Sequence, residues 1–330
     1  METSDSSLTV RPAPDRQGTG ERCERPRPGE PVAADARDAP LRRISGARAL
    51  LAACRPRQWI KNLLVFVPLI SSVSFRDPQA IRHSVLAAAA FLLMSCAVYL
   101  LNDIADREYD RAHPSKKLRP IASGALPVGV AALAGLVFAA AGMALGSALG
   151  GKVALVLGLY ALFQIGYSAG LRKEPPIDVL LVSSGFVMRP LAGAYAIPVR
   201  VSPWLFVVSL LLSLSLALLK RRTELATLES ALSYRPSLGG YSLRFLDQLV
   251  AIVTGAGIIG YALYTFQSEH SEALVMTLPL FLYGIFRYLY LVYERGAGSS
   301  PEEVFLRDRG LQIDSVLYLA AVMAILASKH

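Results

Sequence analysis

Apolar residues in this chain come in blocks of roughly twenty, too long and too unbroken for the amphipathic helices of a water-soluble domain. A bilayer is the natural solvent for such blocks. In hydrocarbon every backbone N–H and C=O must be satisfied within the segment, so each block is read as a helix. About nine blocks are long enough to cross a hydrocarbon core of roughly 30 Å. They lie near 58–75, 80–102, 124–149, 152–170, 177–198, 203–220, 245–267, 272–293 and 311–328. The expected fold is therefore all-α, a polytopic bundle. The first block is interrupted early by Lys61 and Asn62, and the third carries Gly135, Gly142 and Gly146, residues suited to close helix contact.

The formal charge of +9 is distributed between the apolar blocks and over the first sixty residues, which argues against a nucleic-acid-binding surface. With the N-terminus inside, the loops 103–123, 171–176, 220–244 and 294–310 collect Arg107, Arg111, Lys116, Lys117, Arg119, Arg172, Lys173, Lys220, Arg221, Arg222, Arg235, Arg244, Arg295, Arg307 and Arg309. The opposite loops hold little beyond Arg76, Arg82, Lys152 and Arg200. This asymmetry predicts a multi-pass protein of the cell (inner) membrane with its N-terminus cytoplasmic and its C-terminus outside. Residues 1–50 read as a disordered basic cytoplasmic tail without a signal-peptide core, leaving 51–330 as the membrane domain. Cys23, Cys54 and Cys96 have no paired spacing and suggest neither a disulfide framework nor a thiolate metal site.

The chemistry-bearing stretch runs from Tyr99 to Pro120 at the inner end of the second block. A helix entering it should stop near Pro114. At 3.6 residues per turn, Asn102, Asp106 and Asp110 share one face with Tyr99, and Asp103 points about a quarter turn away. Hard oxygen ligands so spaced suit Mg²⁺, which keeps several waters and is completed by phosphate oxygens. Lys116, Lys117 and Arg119 follow as partners for phosphate charge. A second group is Tyr167, Ser168, Arg172, Lys173 and Glu174, with Asp178 and Arg189 in the next block. Arg189 lies about 18 Å along its helix, so it should face the bundle interior, where it is a candidate for an anionic head group. Lys220, Arg221, Arg222 and Glu224, with Asp247, form a third group, in which the cations are equally well read as topology signals.

These residues resemble the UbiA-type intramembrane prenyltransferase superfamily, whose first signature, Asn-Asp-x-x-Asp-x-x-x-Asp, is matched by Asn102, Asp103, Asp106 and Asp110. Within it the chain is most similar to the decaprenyl-phosphate phosphoribosyltransferases of arabinan precursor synthesis. The matching segments are Arg55 to Asn62, Asp106 to Gly124, Gly185 to Arg189, Ser202 to Trp204, Lys220 to Glu224 and Tyr241 to Asp247. Two departures stand out. The superfamily's second aspartate-rich motif is replaced by a region with Arg172, Lys173 and Arg189, and Arg172 stands where the resembled family usually has Lys. The N-terminal tail also lacks a family counterpart.

The resemblance implies Mg²⁺-dependent transfer of 5-phosphoribose from 5-phosphoribosyl 1-diphosphate to a polyprenyl phosphate, with pyrophosphate leaving. It implies metal binding by Asn102 and Asp106 and catalytic roles for Asp103, Asp106 and Asp110. Donor phosphates would be held by Lys61, Tyr99, Lys116, Arg172 and Arg189, and the lipid phosphate by Arg172 and Arg189, with Lys117, Arg119 and Lys220 as further candidates. The implied partners are the two substrates and the lipid bilayer, with homo-oligomer formation allowed and nucleic acid excluded. Prenyl transfer from a prenyl diphosphate to a small acceptor would use the same metal face, but it calls for a second carboxylate pair near 174–182, where only Glu174 and Asp178 stand. A lipid or ion transporter would be expected to show internal repeats and broken helices in two halves, and no such repeat is legible.

Overall fold

A computed structural model describes residues 46–112, 116–199, 202–227, 239–267, 272–297 and 301–328. Among them every regular element is helical. In chain order the α-helices are α1 (Gly46–Ala53), α2 (Val67–Ser71), α3 (Pro78–Ala105), α4 (Arg107–Ala112), α5 (Val128–Leu149), α6 (Gly151–Ala169), α7 (Ile177–Ala196), α8 (Pro203–Thr227), α9 (Leu243–Phe266), α10 (Leu278–Tyr293), α11 (Pro301–Arg307) and α12 (Arg309–Ala327). Of these, α3, α5, α6, α7, α8, α9, α10 with its 3₁₀ lead-in, and α12 are long and apolar enough to cross a membrane, making eight among the described residues. The expectation of an all-α multi-pass membrane bundle therefore holds. The tail expected over 1–50 lies outside the described residues up to 45, and its boundary falls inside α1.

The first apolar block, expected as an ordinary crossing over 58–75, is instead an 11-residue 3₁₀ run, Pro56–Phe66, followed by the short α2. Pro56 and Pro68 withhold two N–H donors from this stretch, and Lys61 and Asn62 place polar groups in it. At about 2.0 Å per 3₁₀ residue and about 1.5 Å per α residue, run and helix together rise about 30 Å, the thickness of a hydrocarbon core. The run packs against α3 and α7.

Those two helices form the centre of the bundle, with more than half of each crossing buried inside the protein. Phe91 of α3, Tyr160 of α6, Ala192 of α7 and Val65 of the 3₁₀ run share one core, and α7, α8, α9 and α10 share a second around Leu219 and Leu246. Small residues permit the closest approaches. A Cβ built on Gly142 of α5 would stand 2.9 Å from the Ala90 carbonyl oxygen of α3. Three helix starts are capped by polar side chains: Asp77 accepts from the Gln79 N–H at 2.9 Å, Ser242 from Phe245 at 3.1 Å, and Asp308 from Leu311 at 2.8 Å.

Candidate active site at the helix ends

The helix expected to run unbroken to Pro114 is divided. α3 ends at Ala105, Asp106 serves as its C-cap, and α4 begins at Arg107. Helical hydrogen bonding persists across the break, the Asp106 N–H donating to Asn102 at 2.9 Å and the Asp110 N–H to Asp106 at 2.8 Å. Residues 113–115, including Pro114, lie outside the described residues.

The four signature side chains separate into two groups. Asp103 and Asp110, seven residues apart, are only 2% and 3% exposed. One Arg119 nitrogen, Nη1, donates to both, at 3.0 Å to Asp103 and 2.7 Å to Asp110, and Arg55 donates to Asp103 as well. Arg55 reaches it from a left-handed backbone conformation, φ 54°, which a residue with a Cβ adopts only when its surroundings hold it there. Its guanidinium lies 5.1 Å from the centre of the Tyr99 ring. Tyr99 and Arg119, both expected at donor phosphates, thus belong to a brace joining the start of the 3₁₀ run, the end of α3 and the loop after α4.

Asn102 and Asp106 form the second group. The Ser168 hydroxyl of α6 donates to the Asn102 amide oxygen. Asp106 is more open, its side chain 22% exposed, and Arg172 grips both of its oxygens at 2.8 Å. Arg172 stands on the 3₁₀ turn Leu171–Lys173, which follows Gly170 at φ 146°. The hydrogen bond to Asp106 holds its guanidinium pKa above the ordinary value. Lys116 is half-buried and Lys117 exposed on the turn beyond α4. No three His, Cys, Asp or Glu side chains converge as a ready metal cage among the described residues. The Asn102 amide and the Asp106 carboxylate nevertheless suit Mg²⁺, which takes one or two protein oxygens and completes its shell with water and substrate phosphate.

A third cluster lies where α7, α8 and α9 begin and end. Asp178, in the first turn of α7, is fully buried and accepts from Arg221 Nε at 2.6 Å and from the Tyr241 hydroxyl at 2.8 Å. Arg221, 1% exposed, also donates to Glu224 at 3.0 Å. Beside it Arg222 donates to Asp247 at 2.6 Å and lies 4.0 Å over the Tyr293 ring. The second carboxylate pair that prenyl transfer calls for is therefore not at hand. Asp178 is spent inside the protein, and Glu174 stands exposed on the loop before the cis Pro175–Pro176 bond. Arg221, read from sequence as a topology signal at the end of an apolar block, is a buried network centre, which nothing in the local sequence sets apart from its basic neighbours. Lys220, beside it, is half-buried, and Tyr167 lies within electrostatic reach of both Arg172 and Arg221. Arg55, Ser168, Arg221 and Tyr241 are network residues that sequence reasoning did not count among the metal, phosphate-binding or catalytic side chains.

Arg189 and Lys61 lie deeper. Arg189 is 3% exposed and donates from Nε to the Asn62 side chain at 2.9 Å and from Nη1 to the Gly185 carbonyl. Its guanidinium faces the rings of Phe91, Tyr160 and Phe186 at 4.8, 5.6 and 5.8 Å. Among the described residues no carboxylate comes within ion-pair distance of it. Lys61 lies 5.4 Å from the Phe186 ring centre and lines a cavity of about 570 Å³. The remaining walls are mostly apolar and come largely from α2, α7, α8, α9, α10, α11 and α12, and include Tyr261, Tyr264 and Tyr318. Phe186 and Pro190, on either side of Arg189 in sequence, line this cavity; Arg189 does not.

The family model described as the UbiA prenyltransferase family matches residues 63–306. A decaprenyl-phosphate phosphoribosyltransferase of Corynebacterium glutamicum is 36% identical over 290 residues, covering 84% of this chain and 87% of the relative. One of Mycolicibacterium smegmatis is 35% identical over 303 residues, covering 87% and 93%. Among solved structures, a UbiA homologue from Archaeoglobus fulgidus bound to GPP and Mg²⁺ superimposes with a TM-score of 0.68 at 20% identity, over 84% of this chain and 99% of that one.

Proposed function

Because the chain belongs to the UbiA prenyltransferase family, we propose that it transfers 5-phosphoribose from 5-phosphoribosyl 1-diphosphate to a polyprenyl phosphate such as decaprenyl phosphate. Polyprenylphosphoryl 5-phosphoribose and pyrophosphate are the products. The observation that carries this reading is the likeness, at 35–36% identity over 84–87% of the chain, to two enzymes bearing that name. The burial of Asp178 against Arg221 supports it over prenyl transfer, since a second metal-binding carboxylate is withheld.

In this reading an anionic oxygen of the lipid phosphate attacks the anomeric carbon of the donor. The bond from that carbon to the diphosphate oxygen breaks, and its electron pair leaves with pyrophosphate. A phosphate monoester is already ionised near neutral pH, so no strong general base is needed. Asn102 and Asp106 would hold Mg²⁺, which supplies positive charge to the diphosphate as its negative charge grows. Arg172, which grips Asp106 in the structure, would turn its planar fork to phosphate oxygens, and Lys116 would contribute a second cation from the neighbouring turn. Asp103 and Asp110, held by Arg55 and Arg119, act by positioning the end of α3. Lys61 lines the mostly apolar cavity, where a lipid phosphate could meet a cation while its chain occupies the apolar walls.

The site lies on the cytoplasmic face of the cell membrane, the side that the positive loops select. The test is pyrophosphate release by the purified protein with Mg²⁺ under two substrate pairs. The expected result is release with 5-phosphoribosyl 1-diphosphate plus decaprenyl phosphate and none with decaprenyl diphosphate plus 4-hydroxybenzoate. The opposite pattern would replace this reading with aromatic prenylation.

A further inference from the structure

Resting on the role given above to Lys61, we propose that Arg189 is a positioning residue, which through Asn62 and the Phe186 ring fixes the 3₁₀ run so that Lys61 faces the cavity. Three observations lead there. A 3₁₀ run of 11 residues is far longer than the three or four that the weaker hydrogen-bond geometry usually sustains, so its shape needs support from outside. That support comes from α7 at two points. Arg189 donates to Asn62 at 2.9 Å, and one turn later Gly193 meets Val65, where a Cβ would come within 1.9 Å of the Val65 carbonyl oxygen. Asn62 and Val65 are three apart and so lie on the same side of a 3₁₀ run, against α7.

Consecutive 3₁₀ residues are separated by about 120°, so pinning Asn62 to α7 turns Lys61 toward the cavity. Phe186 adds a second link, since it lies beneath Lys61 at 5.4 Å and near Arg189 at 5.8 Å. Arg189 itself is poorly placed to hold a phosphate. It is 3% exposed, it is absent from the cavity wall, and its charge is already met by an amide oxygen, a carbonyl and three aromatic faces. The arrangement lets a membrane-buried cation set the register of an irregular segment without needing a carboxylate beside the substrate.

The test compares Lys61→Met, Asn62→Leu, Arg189→Lys and the double variant Lys61→Met/Asn62→Leu in the purified enzyme. Asn62→Leu and Arg189→Lys are each expected to raise KM for polyprenyl phosphate about tenfold, the scale of one hydrogen bond to a charged group, with kcat within about twofold of the parent. The double variant should match Lys61→Met alone. A parental KM in Asn62→Leu, or multiplied effects in the double variant, overturns the positioning role. An unchanged KM in Lys61→Met overturns that role together with the one given to Lys61. A second readout needs no substrate. With ¹³C-methylated lysines, the Lys61 resonance, identified by its loss in Lys61→Arg, should shift in Asn62→Leu, in Arg189→Lys and in Gly193→Ala, which displaces the run at Val65 without touching Arg189. An unmoved resonance in all three contradicts the inference even if the substrate were a different lipid.

Discussion

Asp178 and Arg221 meet at 2.6 Å with essentially no exposure, 43 residues apart in the chain. Removing one partner of such a pair leaves a charge stranded in a low-dielectric interior, at a cost of about 3–5 kcal/mol. Asp178→Asn is therefore expected to lower the unfolding midpoint in detergent strongly, although Glu224 and the amide still contact Arg221. Asp178→Leu combined with Arg221→Met should recover much of the loss, because two apolar side chains strand no charge; a double variant as unstable as Asp178→Asn would contradict this. Legibility at this scale follows sequence distance. Asn102, Asp103, Asp106 and Asp110 are readable because their spacing is local, but their division into a braced pair and an open pair is not, since it depends on Arg55, Arg119, Ser168 and Arg172 arriving from other elements. Asp178 was visible as an intramembrane acid, whereas its partner looked like an ordinary basic helix end.

At the scale of elements, hydropathy located the long helices because burial in lipid is a property of each block by itself. The first block escaped that logic: its length suited a crossing, but Pro56, Pro68 and contacts with α3 and α7 decided its conformation. The break at Asp106 escaped it too, because the next helix-breaking signal in sequence is Pro114. The α3–α5 contact rests on Gly142, where an added Cβ would press 2.9 Å from backbone. Gly142→Ala is expected to cost about 1–3 kcal/mol, and Gly129→Ala, with nothing within 4 Å, no packing penalty. Thermal unfolding of the two variants in one detergent checks the contrast. The start of α12 depends on Asp308, which caps the helix and pairs with Arg287 at 2.8 Å. The Arg287 guanidinium holds the Asp308 carboxyl below the usual carboxylate range. A lowered folded-state pKa contributes stability that is complete above the unfolded value, about 3.9, and is lost as pH falls through the folded one. The stability gap between parent and Asp308→Asn should thus be full at pH 7 and shrink below about pH 4; a gap constant with pH would exclude the ion pair as its source.

For the whole molecule, the bundle brings together at one end charges that are dispersed over more than two hundred residues of sequence, from Arg55 to Asp308. Most of these charges are spent on one another. Asp103, Asp110 and Asp178 are buried in pairs at helix ends, and in the proposed function exchange of partners falls to the more open group of Asn102, Asp106 and Arg172. The family, the membrane class and the oxygen-rich helix end could all be read before any coordinates, because each is written in contiguous sequence. The economy of braced, buried carboxylates next to a more open Asp106 could not, because it is a property of packing. That economy is the central claim, and label transfer tests it most directly. Purified protein is incubated with Mg²⁺, decaprenyl phosphate and 5-phosphoribosyl 1-diphosphate labelled in the ribose, and the organic phase is counted for the parent and for Asp106→Ala. The expected result is lipid-linked label in the parent and a loss of at least about a hundredfold in the variant, the scale of removing a metal ligand or its support. Undiminished label in a folded Asp106→Ala enzyme would contradict the assignment of Asp106 as the exchangeable carboxylate of the active site.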